Sequence, residues 1–474
     1  MPGKLFTDSK KMKILSFWKI LKSAFMGTES DYTTGSLSRS IFLLAVPMVL
    51  EMAMESIFVV VDIFFVARLG SDAISAVGLT EAIITLVYAV SIGLSMAATA
   101  MVARRVGEKK MDAACNTGVH IIAFGILLTL PISVVGIFWS DDILVLMGAS
   151  KSVVETGSSY TAIMLGCNIS IMLLFINNAV FRGAGDASLA MRSLWIANGL
   201  NLILDPCLIF GLGPFPELGL PGAAIATSIG RGCGVLYQFY ILFNGSSRMH
   251  ILSRHIQFHW SVFKRLMRVS SGAVLQYILA TGSWVIMARL IAQFGSEAVA
   301  GYTIAIRVVI FTIMPAWGMA NASATLVGQN LGAGKPDRAE KAVWHTAGLN
   351  LIFLMVVSVF FIFFPRPIIG FFTSDSTVID FGVSCLRYLA YGYGFFAYGL
   401  VVAQSFNGAG DTFTPSAINL FCYWVLQLPL AWMLSTQTSL GAEGVFMAIM
   451  VTESTLAIVS IAVFRRGKWK GRVV

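Results

Sequence analysis

Apolar residues run along nearly the whole chain in long blocks, broken by short polar stretches. A helix rises 1.5 Å per residue, so about 20 apolar residues cross the roughly 30 Å hydrocarbon core of a bilayer. The pattern predicts twelve spans, near 41–66, 76–102, 117–139, 158–181, 188–211, 221–243, 266–292, 300–326, 341–364, 383–405, 413–435 and 441–464. None shows strand-like alternation, and all are too long for barrel strands, so the spans are helices. The predicted fold class is all-α integral membrane.

The blocks repeat at a fixed offset. Leu69-Gly70-Ser71-Asp72-Ala73-Ile74 returns as Phe294-Gly295-Ser296-Glu297-Ala298-Val299, and 295 − 70 = 225. Phe181-Arg182-Gly183-Ala184-Gly185-Asp186 returns as Phe406-Asn407-Gly408-Ala409-Gly410-Asp411 at the same offset, 406 − 181 = 225. Gly93 maps to Gly318, Gly107 to Gly332 and Asp112 to Asp337. The chain is therefore two copies of one unit. Each copy holds six spans, an even number, so both share one orientation and are related by an axis along the membrane normal. The expected organisation is a cytoplasmic N-terminal tail over 1–35, a six-helix bundle over 36–245 and a cytoplasmic connector over 246–262. A second six-helix bundle follows over 263–466, then a basic cytoplasmic tail over 467–474.

Composition agrees: 57% of residues are hydrophobic and 12% charged. The net charge of +9 does not point to nucleic acid, because the basic residues sit where the positive-inside rule puts them. Lys10, Lys11 and Lys13 precede span 1, Arg104 and Arg105 follow span 2, and Arg182 and Arg192 flank the loop after span 4. Arg248, Arg254, Lys264, Arg265 and Arg268 fill the connector, and Arg465, Arg466 and Lys468 end the chain. The opposite loops are poor in base, so both termini are expected in the cytoplasm of a cell whose plasma membrane (the inner membrane, for a bacterium) holds the protein. Ile14, Leu15, Phe17 and Trp18, interleaved with lysines, suit either an amphipathic helix on the inner leaflet or an unstructured tail.

No nucleophile motif, phosphate loop or dinucleotide fingerprint appears, so an enzyme is not expected. Cys167, Cys207, Cys233, Cys385 and Cys422 lie inside spans as small apolar side chains. His250, His255 and His259 fall on the connector with no metal spacing and read as solvated linker residues. No cofactor is expected.

Ionisable residues inside the hydrocarbon region are the candidate site. Glu51, Glu55 and Asp62 share one face of span 1, because steps of 4 and 7 residues return to nearly the same azimuth. Span 2 adds Glu81. Span 5 carries Asn201 and Asp205, four apart on one face, followed by Pro206, and span 4 ends with Asn177 and Asn178. Arg307 in span 8 either pairs with an acid across the cleft or caps a helix. Adding 225 turns Asp62 into Met287, Asn178 into Ala403, Asn201 into Leu426, Asp205 into Leu430 and Glu55 into Ala280; Glu51 alone keeps a polar partner, Gln276. The site is thus expected in the N-terminal half. Met48, Met52 and Met319 are candidate walls of a substrate cleft, where flexible thioethers accept varied ligands; ordinary core packing is the alternative.

These features resemble the multidrug and toxic compound extrusion (MATE) family over roughly residues 36–466. The resemblance rests on Pro47, Val61-Asp62, Val66-Ala67-Arg68-Leu69-Gly70, Asn178 leading to Arg182-Gly183-Ala184-Gly185-Asp186, Asn201 with Asp205, and Val327-Gly328-Gln329-Asn330-Leu331-Gly332-Ala333-Gly334. It implies two bundles facing a cleft and export of amphipathic, often cationic compounds in exchange for H⁺ or Na⁺. It implies a cation- or proton-binding site at Asp62, Asn178, Asn201 and Asp205, with Asn177 a rival for Asn178 and Thr227 a further contributor. Ala280 stands where the NorM-like branch carries a second acid, which favours the DinF-like branch. The partners implied are small-molecule substrates and membrane lipids, around a monomer. The alternative within the wider superfamily is a lipid-linked oligosaccharide flippase, which needs a more basic cavity.

Overall fold

The computed structural model describes residues 18–27 and 30–472. Among these it contains helices and no strands. Twelve long helices order as α1 (Leu37–Val66), α2 (Ser71–Gly107), α3 (Met111–Phe138), α4 (Lys151–Ala184), α5 (Ala187–Phe210) and α6 (Leu220–Asn244). They continue as α7 (Trp260–Ile291), α8 (Ser296–Gly332), α9 (Pro336–Phe363), α10 (Ser376–Gly408), α11 (Phe413–Thr436) and α12 (Ala442–Arg465). Nine of these are long and apolar enough to cross a membrane by length and composition alone. The other three, α1, α6 and α10, have 30, 25 and 33 residues, and so also exceed the length needed.

The offset read from sequence is built into the helices. Both ends of α2 map onto those of α8, since 296 − 71 = 225 and 332 − 107 = 225. Equivalent glycines take equivalent left-handed conformations: Gly70 has φ 102° and ψ 178°, Gly295 φ 103° and ψ 170°. Gly219 and Gly441 open α6 and α12 at φ 60° and 54°. A Cβ is strained at such angles, so the glycines fix these corners.

Helices α1–α6 form one bundle and α7–α12 the other. Each has an apolar core, that of the first taking in Leu266 and Val269 from the start of α7, and a further cluster joins Met48 and Leu44 of α1 to Ala322 and Leu326 of α8. The bundles meet closely where α2, α4 and α8 end, at the face that also carries residues 30–35 and 468–472. There Gln329 Nε2 donates to the Gly183 carbonyl at 2.9 Å, and Thr325 Oγ1 donates to the Arg182 carbonyl at 3.2 Å. A Cβ on Gly107 would lie 2.0 Å from the Gln329 carbonyl oxygen, so only glycine allows this approach.

Three local expectations are corrected. Helix α4 breaks at Cys167, which lies within the span Lys151–Ala184 and is exposed on its outer face. The cause is Asn168, whose side-chain amide donates to the Leu165 carbonyl and, at 3.1 Å, to Ser133 Oγ, competing with the backbone ladder. Helix α11 widens to a π-turn over Leu420–Gln427. In the connector, His255 is buried and its Nε2 lies 2.9 Å from Asp112 Oδ1. Residues 18–26 are helical, and the Phe25 carbonyl accepts from Arg192 at 2.7 Å. Lys10, Lys11, Lys13, Ile14, Leu15 and Phe17 lie outside the described residues.

Candidate functional site

The acids of α1 do share a face, and each meets a different partner. Nearest the start of α1, Glu51 Oε1 accepts from Arg182 Nη1 at 2.5 Å and from Asn178 Nδ2 at 3.0 Å. Gln238 Nε2 donates to Asn178 Oδ1 at 2.7 Å, and Asn177 Nδ2 donates to Gln238 Oε1 at 3.1 Å. Arg182, expected beside a loop, is buried instead. Helix α4 continues to Ala184, and the guanidinium turns inward to offset the Glu51 charge.

One turn further along α1, Glu55 Oε2 accepts from Asn198 Nδ2 at 2.9 Å, and Glu55 Oε1 lies 3.4 Å from Arg231 Nη2. Arg231 also donates to Tyr88 OH at 3.4 Å and lies over the Phe58 ring at 5.3 Å. Sequence reasoning missed Arg231. The signal was present: an arginine inside the apolar run 221–243 should be weighed by the same rule as the acids.

Two turns beyond, Asp62 stands beside Asp205. Asn201 Nδ2 donates to Asp205 Oδ1 at 3.1 Å and to Thr227 Oγ1 at 3.0 Å. Asp205 Oδ2 and Asn201 Oδ1 are buried and meet no hydrogen-bond donor among the described residues. The structure therefore brings Asp62, Asn201, Asp205 and Thr227 together, and it places Asn178 and Asn177 in the Glu51 network instead. Asn178 is removed because both its amide atoms are already engaged there.

The charges do not balance evenly. Four carboxyls, Glu51, Glu55, Asp62 and Asp205, meet two buried guanidiniums, Arg182 and Arg231. The direct ion pairs take Glu51 and Glu55, so among the described residues Asp62 and Asp205 have no direct ion pair, and these are the two that adjoin. Neighbouring carboxylates repel in a low dielectric unless a proton or cation sits between them. The orphaned oxygens of Asn201 and Asp205 are the ligand type a hard cation or a proton needs.

Between the bundles lies a cavity of about 380 Å³. Its wall includes Met52, Glu55, Asp62, Glu81 and Arg231 from one bundle, and Met314 and Trp317 from the other. Arg307 faces Glu81 electrostatically from α8, without a direct ion pair. Of the methionines proposed as cleft walls, Met52 lines this cavity. Met48 and Met319 do not; they pack in the α1–α8 cluster, where the absent side chain of Gly318 lets Met48 approach.

A family model described as MatE matches the chain twice, over residues 47–207 and 273–433, and 273 − 47 = 226. A probable multidrug resistance protein NorM from Thermotoga maritima is 28% identical over 92% of this chain and 94% of its own length. The multidrug export protein MepA of Staphylococcus aureus is 24% identical over 88% of this chain and 91% of its own. A crystal structure of MATE in the straight conformation superposes with TM-score 0.88 at 25% identity, covering 94% of this chain and all of that one. A MATE structure in the bent conformation gives TM-score 0.84 at 26% identity over 91% of this chain and 96% of that one. The chain belongs to the MatE family of multi-pass membrane transporters.

Proposed function

We propose that the chain is a secondary antiporter that exports amphipathic, often cationic small molecules in exchange for inward H⁺ or Na⁺. The observation that carries this reading is the pair Asp62 and Asp205, two adjoining carboxyls without a direct ion pair beside a large central cavity. A proton or sodium ion bound there is held by Asp62, Asp205, Asn201 and Thr227. Binding removes the repulsion between the carboxyls and draws α1 toward α5 and α6. Helix α1 also packs on α8, so its movement reaches the second bundle. Coupling requires that the ion bind one state of the cavity more tightly than the other, because equal binding shifts nothing.

Relatives named for multidrug resistance and multidrug export support small-molecule export. The unpaired acids favour cationic cargo over anionic cargo. The buried arginines on this wall among the described residues, Arg182 and Arg231, are spent on Glu51 and Glu55, which leaves little for a pyrophosphate-linked lipid. Both termini face the cytoplasm on this reading, and the cavity exchanges between the two sides of the plasma membrane. The protein works as a monomer and uses no cofactor.

The test is drug susceptibility of cells that lack their own efflux pumps. Wild type should raise resistance to lipophilic cations, and Asp62→Asn and Asp205→Asn should abolish it at equal membrane abundance. Full resistance in both variants would sink the assignment.

A further inference from the structure

Glu453 takes no part in the site above, yet it lies at the middle of α12. It is 453 − 442 = 11 residues from the helix start and 465 − 453 = 12 from its end. At 1.5 Å per residue that is about 17 Å from either end, the middle of a helix long and apolar enough to cross a bilayer. Its Oε1 accepts from Tyr423 OH at 3.1 Å. The other titratable side chain facing it is Cys422, also on α11. Helices α7 and α10 pack on α12 too, and among the described residues they bring no charged or titratable group to Glu453; Tyr388 of α10 bonds Glu443, near the other end of α12, instead. Nor does Glu453 lie on the wall of the central cavity.

The repeat shows what this position has replaced. Glu55 maps to Ala280 and Asn198 to Tyr423, since 280 − 55 = 225 and 423 − 198 = 225. Beyond the three-residue gap the offset is 441 − 219 = 222, and Arg231 maps to Glu453. The Glu55–Asn198–Arg231 cluster of one bundle has thus become Ala280–Tyr423–Glu453 in the other. An ion pair has given way to an acid with a phenol and no cation. Tyr423 sits in the π-turn of α11, a wide turn that is uncommon and concentrates at functional sites. An ionised glutamate at mid-membrane without a counter-ion is costly, whereas a carboxylic acid hydrogen-bonded to a phenol is not.

We propose that Glu453 and Tyr423 form a second proton-binding site, in the C-terminal bundle, that holds its proton at neutral pH independently of Asp62 and Asp205. This inference does not rest on the antiport reading, and its test reads protonation directly. Purified protein in lipid nanodiscs is titrated with pH while the infrared carbonyl stretch of protonated carboxyls is followed. A band present at neutral pH should disappear in Glu453→Gln, persist in the Asp62→Asn/Asp205→Asn double variant, and shift in Tyr423→Phe. The Tyr423→Phe arm keeps the test informative should Glu453→Gln fold poorly. The proposal is overturned if no protonated band at neutral pH depends on Glu453 or Tyr423, or if the band vanishes with Asp62 and Asp205 alone.

Discussion

Arg231 Nη2 lies 3.4 Å from Glu55 Oε1 inside the N-terminal bundle, with the two side chains 3% and 9% exposed. Breaking a buried pair from one side leaves an uncompensated charge and costs roughly 3–5 kcal/mol, while replacing both partners costs far less. Arg231→Met should therefore lower the thermal unfolding midpoint sharply. The Glu55→Gln/Arg231→Met double variant should recover much of the loss in the same unfolding assay.

Asn178 and Asn201 separate on function although both are buried amides of the same bundle. Asn178 serves the Glu51 network and Asn201 serves Asp205. Asn178→Ala should cost stability, on the order of 1–3 kcal/mol for groups left unpaired, and leave the ion dependence of transport in place. Asn201→Ala should weaken the response to the driving ion. Transport titrated against proton or sodium concentration distinguishes them.

Gly107 permits the close approach of the bundles at the end where α2, α4 and α8 finish. A Cβ there would meet the Gln329 carbonyl at 2.0 Å, and one on Gly332 would meet the Arg104 carbonyl at 2.2 Å. Gly107→Ala should hold that end apart and raise the labelling rate of a cysteine placed at Thr325, whose side chain meets the Arg182 carbonyl of the other bundle. Gly78, in the same helix with open space around it, supplies the control: Gly78→Ala should leave labelling unchanged.

Residues 30–35 strap the two bundles at this same end. Tyr32 OH donates to the Gly185 carbonyl at 3.2 Å, while Lys335 Nζ donates to the Thr33 carbonyl at 2.9 Å and Arg338 Nη1 to the Gly35 carbonyl at 3.0 Å. Lys335→Ala with Arg338→Ala should increase labelling at the same cysteine. The turn of the strap is set by Asp31, which accepts from Thr33 Oγ1 at 2.6 Å and Thr33 N at 2.8 Å. These bonds hold the Asp31 carboxyl below its ordinary range against a smaller opposing effect of burial. Its contribution is therefore present above the ordinary carboxylate range and lost as pH falls through the lowered value. Labelling should stay slow at mildly acid pH and rise only in stronger acid; Asp31→Asn should remove that acid limb.

Much of the fold was legible because two periodicities are written plainly: apolar blocks of spanning length and the 225-residue offset. The candidate site was legible in part, as a set of residues. Asp62, Asn201 and Asp205 stand out as polar residues that one half has and the other lacks. Their grouping was not, because helix rotation and neighbour choice decide which amide meets which acid, and Asn178 turns toward Glu51. Subtracting the halves also hid Arg231 and Glu453, which oppose each other only after a three-residue gap. The break at Cys167 depends on one side-chain amide of Asn168 and has no periodic signature.

The most direct measurement of the central claim is uptake of a fluorescent lipophilic cation into inverted membrane vesicles, driven in turn by an imposed proton gradient and an imposed sodium gradient. Wild-type vesicles should accumulate the cation under one of these gradients. Asp62→Asn and Asp205→Asn vesicles, carrying equal amounts of folded protein, should accumulate it under neither. Undiminished gradient-driven uptake in both variants would contradict the assignment of ion coupling to this pair.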